Sequence, residues 1–220
     1  MTPNVAIIFD MDGVIVDTNP YHKIALRQFC EKHSIHLSDD ELINRIYGRP
    51  NKEWIVNLFR REMSPSDLSA YGEEKEKIFR DLYEKDLRPL NGLKEFLDQL
   101  VGLGIPTAIG TSAPRSNVDF VLRRTGLEKY FNVVLDESHV GRGKPDPEIY
   151  LKVAAAVNFP PGHCIVFEDS FSGVASAQAA GTKVVGVATT HTREELSHTE
   201  YVITDFAGLD PKLLIERLYP

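Results

Sequence analysis

"IIFDMDGVIVD", residues 7–17, is the stretch from which the rest of this 220-residue chain can be read. Ile7, Ile8 and Phe9 make an apolar run suited to a buried strand, yet the run ends on Asp10 and Asp12 and then turns at Gly13. A buried carboxylate without a partner is costly, and two close together repel one another. Their partner is a metal ion, a basic residue or solvent. The remaining sequence has to supply it.

Five further apolar runs resemble the first: 106–112 "PTAIGTS", 133–136 "VVLD", 164–169 "CIVFED", 183–189 "KVVGVAT" and 201–206 "YVITDF". They are rich in β-branched residues, mostly do not alternate, and are bounded by Gly, Pro or charge, as in strands covered on both faces. Helical patterns lie between them. Leu93, Phe96, Leu97 and Leu100 form one stripe, with Gly102 or Gly104 as the stop. Asp146 is placed to cap a helix whose first residue is Pro147. Alternating strands and helices predict an α/β fold with a Rossmann-like parallel sheet.

The interval 18–87 differs. It carries helical patterns at 21–32, 39–47, 53–61 and 73–85 and no strand pattern. In the third of these, Trp54, Leu58 and Phe59 give an apolar stripe. The expected organisation is a core of residues 1–17 and 88–220, with an all-helical cap domain of residues 18–87 inserted after the first strand. The charge-dense 72–86 segment reads as a solvated helix face with i,i+4 pairs such as Glu73 with Lys77.

Bulk properties narrow the function. A formal charge of −7 argues against a general nucleic-acid or anionic-membrane binder. No apolar run approaches the roughly 20 residues of a membrane span, and no secretory leader is recognised, so the expected compartment is cytoplasmic. Cys30 and Cys164 read as reduced core thiols.

Parallel α/β sheets bind ligands at the carboxyl ends of their strands. Those ends here carry Asp10 and Asp12 on the first strand, Thr111 and Ser112 on the second, and Glu168 and Asp169 on the fourth, while Lys144 sits in the loop "VGRGKPDPE". An EF-hand is excluded, because counting from Asp10 puts Ile15 and Tyr21 where Gly and Glu are required. A nucleotide P-loop fails too, since the spacing around Lys144 is wrong and Pro145 follows it. The pieces share one chemistry. Asp10, Asp169 and Glu168, the last directly or through water, suit a hard cation such as Mg²⁺. With that ion and Lys144 neutralising charge, Asp10 can attack phosphorus and form an aspartyl-phosphate. Asp12 then serves as acid and base, while Lys144, the Thr111 hydroxyl, Ser112, Ala113 and backbone N–H groups cradle the phosphate.

Taken in order, "FDMDGV", "TS" at 111–112, "GKPDPEIY" and "FEDSFSGVASAQAAG" resemble the four motifs of the haloacid dehalogenase superfamily. That resemblance covers essentially the whole chain. It implies a Rossmann-like core with a helical cap, Mg²⁺ dependence, Asp10 as nucleophile, Asp12 as acid/base and Asp169 as metal ligand. It further implies metal contact by the Asp12 backbone carbonyl. Halide removal is disfavoured, because true dehalogenases lack an acid at the position of Asp12.

Within the superfamily the chain is most similar to the β-phosphoglucomutase-like branch. Thr18 and His22 match residues that help set the acid/base, and Lys75 matches a cap lysine. The mutase's cap arginine has no counterpart at its place: Arg49 stands two positions early, in "GRPNKEW", and Asn51 takes the matching position. His22, Arg49, Asn51 and Lys75 are therefore the candidate substrate contacts of the cap. The expected activity is phosphatase action on small organic phosphates, sugar phosphates foremost, with the mutase as the alternative. More distant alternatives are an inorganic pyrophosphatase and a receiver-type signalling domain. A receiver of about 100–150 residues leaves no place for the inserted helices.

Overall fold

The computed structural model describes residues 4–46 and 51–220. Six strands form one sheet: β1 (Ala6–Phe9), β2 (Thr107–Gly110), β3 (Val133–Leu135), β4 (Cys164–Glu168), β5 (Lys183–Val187) and β6 (Tyr201–Ile203). Their order is β3-β2-β1-β4-β5-β6, and every neighbouring pair is parallel. Because the chain moves outward from β1 in both directions, the carboxyl end of β1 lies at the topological switch point.

Nine α-helices are described: α1 (Asn19–Lys32), α2 (Asp39–Arg45), α3 (Asn51–Phe59), α4 (Pro65–Tyr83), α5 (Leu93–Gly102), α6 (Arg115–Thr125), α7 (Glu148–Ala156), α8 (Phe171–Ala179) and α9 (Pro211–Leu218). The sheet is covered on both faces, which explains its uninterrupted apolar strands. On one face Ile8 and Val166 pack with Ile149, Tyr150 and Val153 of α7 and with Val174 and Ala177 of α8. On the other, Phe9 and Phe167 stack with centroids 5.1 Å apart, and Phe96 of α5 and Phe206 close over them. The expected Leu93, Phe96, Leu97 and Leu100 stripe is buried, and Gly104 takes a φ of 68° just past the end of α5.

The chain divides into two compact units, Met1–Asp17 with Leu87–Pro220, and Thr18–Asp86. The second is the helical insert, formed by α1–α4. Its core gathers Leu26, Phe29, Leu42, Trp54, Ile55 and Leu58, with Trp54 edge-on to Phe29 at 5.4 Å. In the first unit, Val16 bridges antiparallel to Pro89 and Leu90 donates to the Ile15 carbonyl at 2.9 Å, so the outgoing and returning chain are tied together.

Several boundaries differ from expectation. The strands stop short of the predicted runs: Thr111, Ser112, Asp136 and Asp169 lie past the last strand residues, whereas Glu168 ends β4. α4 starts at Pro65 rather than Glu73: the Ser64 hydroxyl accepts from the Asp67 N–H at 3.1 Å, and packing of α4 on α1 outweighs the weak propensity of the buried Gly72. α7 has Pro147 at its N-cap, not Asp146, although the Asp146 carboxylate still accepts from the Glu148 N–H at 3.0 Å. Ion pairs within α4 include Lys77 with Asp81, Glu73 with Arg80 and Lys75 with Glu76. No described helix is long and apolar enough to cross a membrane. Cys30 and Cys164 are buried and free.

Candidate active site

The register of the sheet assembles the site. Phe9 stands beside Ile109 on one side and Phe167 on the other, so residues 10, 110 and 168 leave the strands side by side. The Asp10 N–H donates to the Phe167 carbonyl and the Thr111 N–H to the Leu135 carbonyl, each at 3.0 Å, carrying the ladder one residue beyond the strands. Thr111 and Ala113 are buried, and the Ala113 N–H donates to the Thr111 hydroxyl at 3.1 Å. Ser112 between them is exposed.

Lys144 reaches into this edge from the loop before α7. Its Nζ donates to Asp10 Oδ1 at 2.8 Å, Glu168 Oε1 at 2.6 Å and the Gly110 carbonyl at 3.2 Å, using all three ammonium hydrogens. The ammonium also lies 4.8 Å from the centroid of the Tyr150 ring. Burial works against its charge, but Asp10 and Glu168 outweigh that and hold the lysine protonated above its ordinary range.

Glu168 accepts on both oxygens. Oε1 takes Lys144 and the Tyr150 hydroxyl at 2.7 Å; Oε2 takes the Asp169 N–H at 3.0 Å and the Ser170 N–H and hydroxyl at 3.2 Å each. Ser170 itself caps α8 by accepting from the Gly173 N–H. The residue that caps α8 is thus the serine and neither of the acids before it. Asp10, Glu168 and Asp169 each bring a carboxylate oxygen within 4.8 Å of the others.

This cluster is electrostatically incomplete. Burial pushes the Asp10 carboxyl up to about 7, with Lys144 opposing and the charges of Glu168 and Asp12 adding to the rise. Burial, then Glu168 and Asp10, also lifts Asp169 well above the usual carboxylate range. Full ionisation of the three carboxylates beside one ammonium would leave a deficit of two positive charges, which a divalent cation would cancel. The donor set of carboxylate oxygens at a sheet edge fits a hard cation, with Asp10, Asp169 and Glu168 as the residues able to hold it.

Two glycines make room for these acids. Gly13 adopts a φ of 77°, and a Cβ there would overlap the Asp169 carboxylate. A Cβ at Gly173 would overlap that of Glu168.

Of the residues singled out from the sequence, Asp10, Lys144, Glu168 and Asp169 come together, with Thr111 next to Gly110. Asp12 is half-buried, and its backbone bridges to Val16. His22 and Lys75 meet inside the helical insert: Lys75 Nζ lies 2.7 Å from His22 Nδ1 and 2.9 Å from Glu76 Oε1, and the His22 ring stacks on Phe79 at 3.8 Å. Arg49 and the side chain of Asn51 lie outside the described residues.

The sequence reading gave no role to Tyr150, Thr189 or Thr190. Tyr150 has the pattern of a core residue on α7, and its hydroxyl contact with Glu168 and the Lys144 ammonium against its ring distinguish it. The threonines carried a usable signal, a hydroxyl pair at the carboxyl end of a strand like Thr111 and Ser112. Thr190 donates to Asp169 Oδ2 and Thr189 to the Gly13 carbonyl.

Comparison with known proteins agrees with this geometry. The haloacid dehalogenase-like hydrolase family matches residues 7–187. A phosphorylated carbohydrates phosphatase of Thermotoga maritima is 38% identical over 187 residues, 83% of this chain and 84% of that protein. The crystal structure of a family IA HAD hydrolase from Entamoeba histolytica superposes with a TM-score of 0.89 at 29% identity, covering 98% of this chain and all of that one (100%). A β-phosphoglucomutase structure from Clostridium difficile gives 0.84 at 26% identity over 100% of this chain and 98% of that one. With its parallel sheet, helical insert and buried acidic edge, the chain belongs to the haloacid dehalogenase-like hydrolases, in their β-phosphoglucomutase-like group.

Proposed function

We propose that this protein is a Mg²⁺-dependent phosphatase that hydrolyses small organic phosphates, sugar phosphates foremost, through an aspartyl-phosphate on Asp10. The observation that carries the reading is Lys144, buried and hydrogen-bonded at once to Asp10 and Glu168 beside Asp169. A nucleophilic carboxylate meets an anionic phosphoryl group only where positive charge is already in place. The designation of the Thermotoga maritima relative as a phosphatase of phosphorylated carbohydrates supports the substrate class.

In the proposed route an Asp10 oxygen bonds to phosphorus while the phosphorus–ester oxygen bond breaks. Asp12 gives its proton to the departing alcohol oxygen. A water then attacks phosphorus, Asp12 takes back a proton, and the bond to Asp10 breaks to release inorganic phosphate. Lys144 neutralises the phosphoryl oxygens, and the Thr111 hydroxyl and the turn at Ser112 and Ala113 orient them. Asp10, Asp169 and Glu168 would hold Mg²⁺, which keeps Asp10 ionised and offsets phosphate charge.

Asp10→Asn is expected to abolish phosphate release in Mg²⁺ while leaving the fold intact by circular dichroism; undiminished turnover would overturn the assignment. Across sugar phosphates, nucleotides and pyrophosphate, sugar phosphates are expected to give the highest kcat/KM. A mutase reading is supported by the likeness to the Clostridium difficile enzyme and by the half-buried Lys75–His22 pair of the insert. Supplying β-glucose 1-phosphate with a bisphosphate primer separates the two: accumulation of glucose 6-phosphate, not free phosphate, selects the mutase.

A further inference from the structure

Beyond β5 the chain passes two hydroxyls in succession close to the acidic edge. Glu168 on β4 is in register with Gly186 on β5, so the residues following each strand emerge as neighbours. Thr189 donates to the Gly13 carbonyl at 2.6 Å, and Thr190, one residue on, donates to Asp169 Oδ2. Gly13 belongs to the turn that carries Asp10 and Asp12, and Asp169 to the turn after β4. One dipeptide thus ties together two segments that are far apart in sequence.

These hydroxyls are not required to close their own loop. The Ala188 N–H is satisfied by the Ile203 carbonyl at 2.8 Å and the Thr189 N–H by the Val187 carbonyl at 2.9 Å. Further along, the Thr192 hydroxyl and Glu195 carboxylate cap each other's N–H groups. The bonds to Gly13 and Asp169 serve the neighbouring turns. They complement the glycine: without a Cβ at Gly13, Asp169 lies over the first turn, and Thr190 then fixes which carboxylate oxygen faces the loop.

We propose that Thr189 and Thr190 are positioning residues for the cation site, holding Asp169 and the Gly13 turn at the spacing that lets Asp10 and Asp169 share one ion. This rests on the metal-site reading above. Residues that orient a metal ligand commonly account for 10–100-fold in metal affinity. A donor on Oδ2 removes one rotational choice from the Asp169 carboxylate and leaves its other oxygen for the ion. Thr190 contributes through its hydroxyl alone, so serine substitutes for it and valine, of the same shape, does not.

The test is calorimetric titration of the full-length protein with MgCl₂ in the absence of substrate, on wild type, Thr190→Val, Thr190→Ser and Thr189→Val, with thermal unfolding of each metal-free variant alongside. Thr190→Val is expected to weaken Mg²⁺ binding about tenfold or more. Thr190→Ser should stay close to wild type, Thr189→Val should fall between, and the metal-free proteins should unfold together. Thr190→Val binding Mg²⁺ as tightly as wild type overturns the proposal. So does equal weakening in Thr190→Ser, which would locate the effect in loop packing instead of the hydroxyl. Because Thr190 is exposed, its variants are expected to fold; were valine to unfold the protein, Thr190→Ala against Thr190→Ser makes the same decision. Failure of the wild type itself to bind Mg²⁺ would instead remove the underlying metal reading, and this inference with it.

Discussion

Lys144–Glu168 in the core and Lys77–Asp81 on the helical insert are both ammonium–carboxylate pairs 2.6 Å long. Their surroundings are opposite. The first pair is 6% and 0% exposed and has Asp10, Gly110 and Tyr150 on its remaining sides; the second is 67% and 64% exposed, one turn apart on α4. Equal geometry therefore carries unequal energy, because water screens the outer pair and cannot reach the inner one. The first pair stands where the acidic edge gathers its charge, and the second stands in solvent; the same division occurs within each unit, since Lys75–Glu76 of the insert is buried and Lys94–Asp98 of the core is exposed.

Lys144→Met tests the inner pair and should have the largest effect. On the proposed route it removes the cation facing Asp10, and phosphate release should fall by about 10³-fold or more in steady-state assays. Breaking a buried pair from one side also costs about 3–5 kcal/mol of stability. That cost should be greatest near pH 8 and smaller near pH 5, where Asp10 takes up a proton. Denaturant unfolding at the two pH values measures it. A loss no larger than that of an exposed lysine would erase the contrast.

The acids beside Lys144 offer a second comparison, between a crowded glycine and an open one. Gly13 and Gly104 have φ values of 77° and 68°, but a Cβ at Gly13 would strike Asp169 and one at Gly104 would meet nothing within 4 Å. Gly104→Ala should cost only the left-handed strain, about 1–2 kcal/mol. Gly13→Ala should cost more and also weaken Mg²⁺ binding at least tenfold, since it displaces a carboxylate of the site. Equal unfolding midpoints and equal Mg²⁺ titrations for the two variants would refute this.

On the proposed metal reading, protons and cations compete for the same oxygens. With its folded value near 7 against an ordinary 3.8, Asp10 holds a proton in the metal-free fold that the unfolded chain has already released. Its contribution favours folding fully below about pH 3.8 and is lost as the pH rises through about 7. Stabilisation by Mg²⁺ should therefore grow across that window, to about 2.7 kcal/mol at a hundred times the Kd in alkaline solution. Thermal unfolding with and without MgCl₂ at pH 5 and pH 8 checks it; equal increments at both would count against the acids as ligands.

How much of this could be read in advance follows from the range over which each feature is determined. The strand runs, the Leu93–Leu100 stripe and the placement of Asp10, Lys144 and Asp169 at one edge were legible because periodicity and strand-end position are local properties combined with one rule of sheet topology. Tyr150 was not legible, because an aromatic residue on a core stripe looks the same whether or not its hydroxyl meets a glutamate on β4. The start of α4 was misplaced because Gly72 reads as a break, whereas packing against α1 carries the helix through it to the Ser64 cap. Thr189 and Thr190 needed the β4–β5 register before their position beside Asp169 had any meaning.

The smallest effect belongs to the outer pair. Lys77→Ala removes a contact that i,i+4 spacing alone brings together, between two side chains that already stand in water. Alanine restores in helix propensity part of what the lost pair removes, so urea unfolding should show a change below about 0.5 kcal/mol. The change should shrink further at 1 M salt, where the screening length falls to roughly 3 Å. Phosphate release should be unaffected. A penalty approaching that of Lys144→Met, or one insensitive to salt, would mean that the distance between the charges governs these pairs and that burial does not, and the contrast between the buried and the exposed pair would then have to be abandoned.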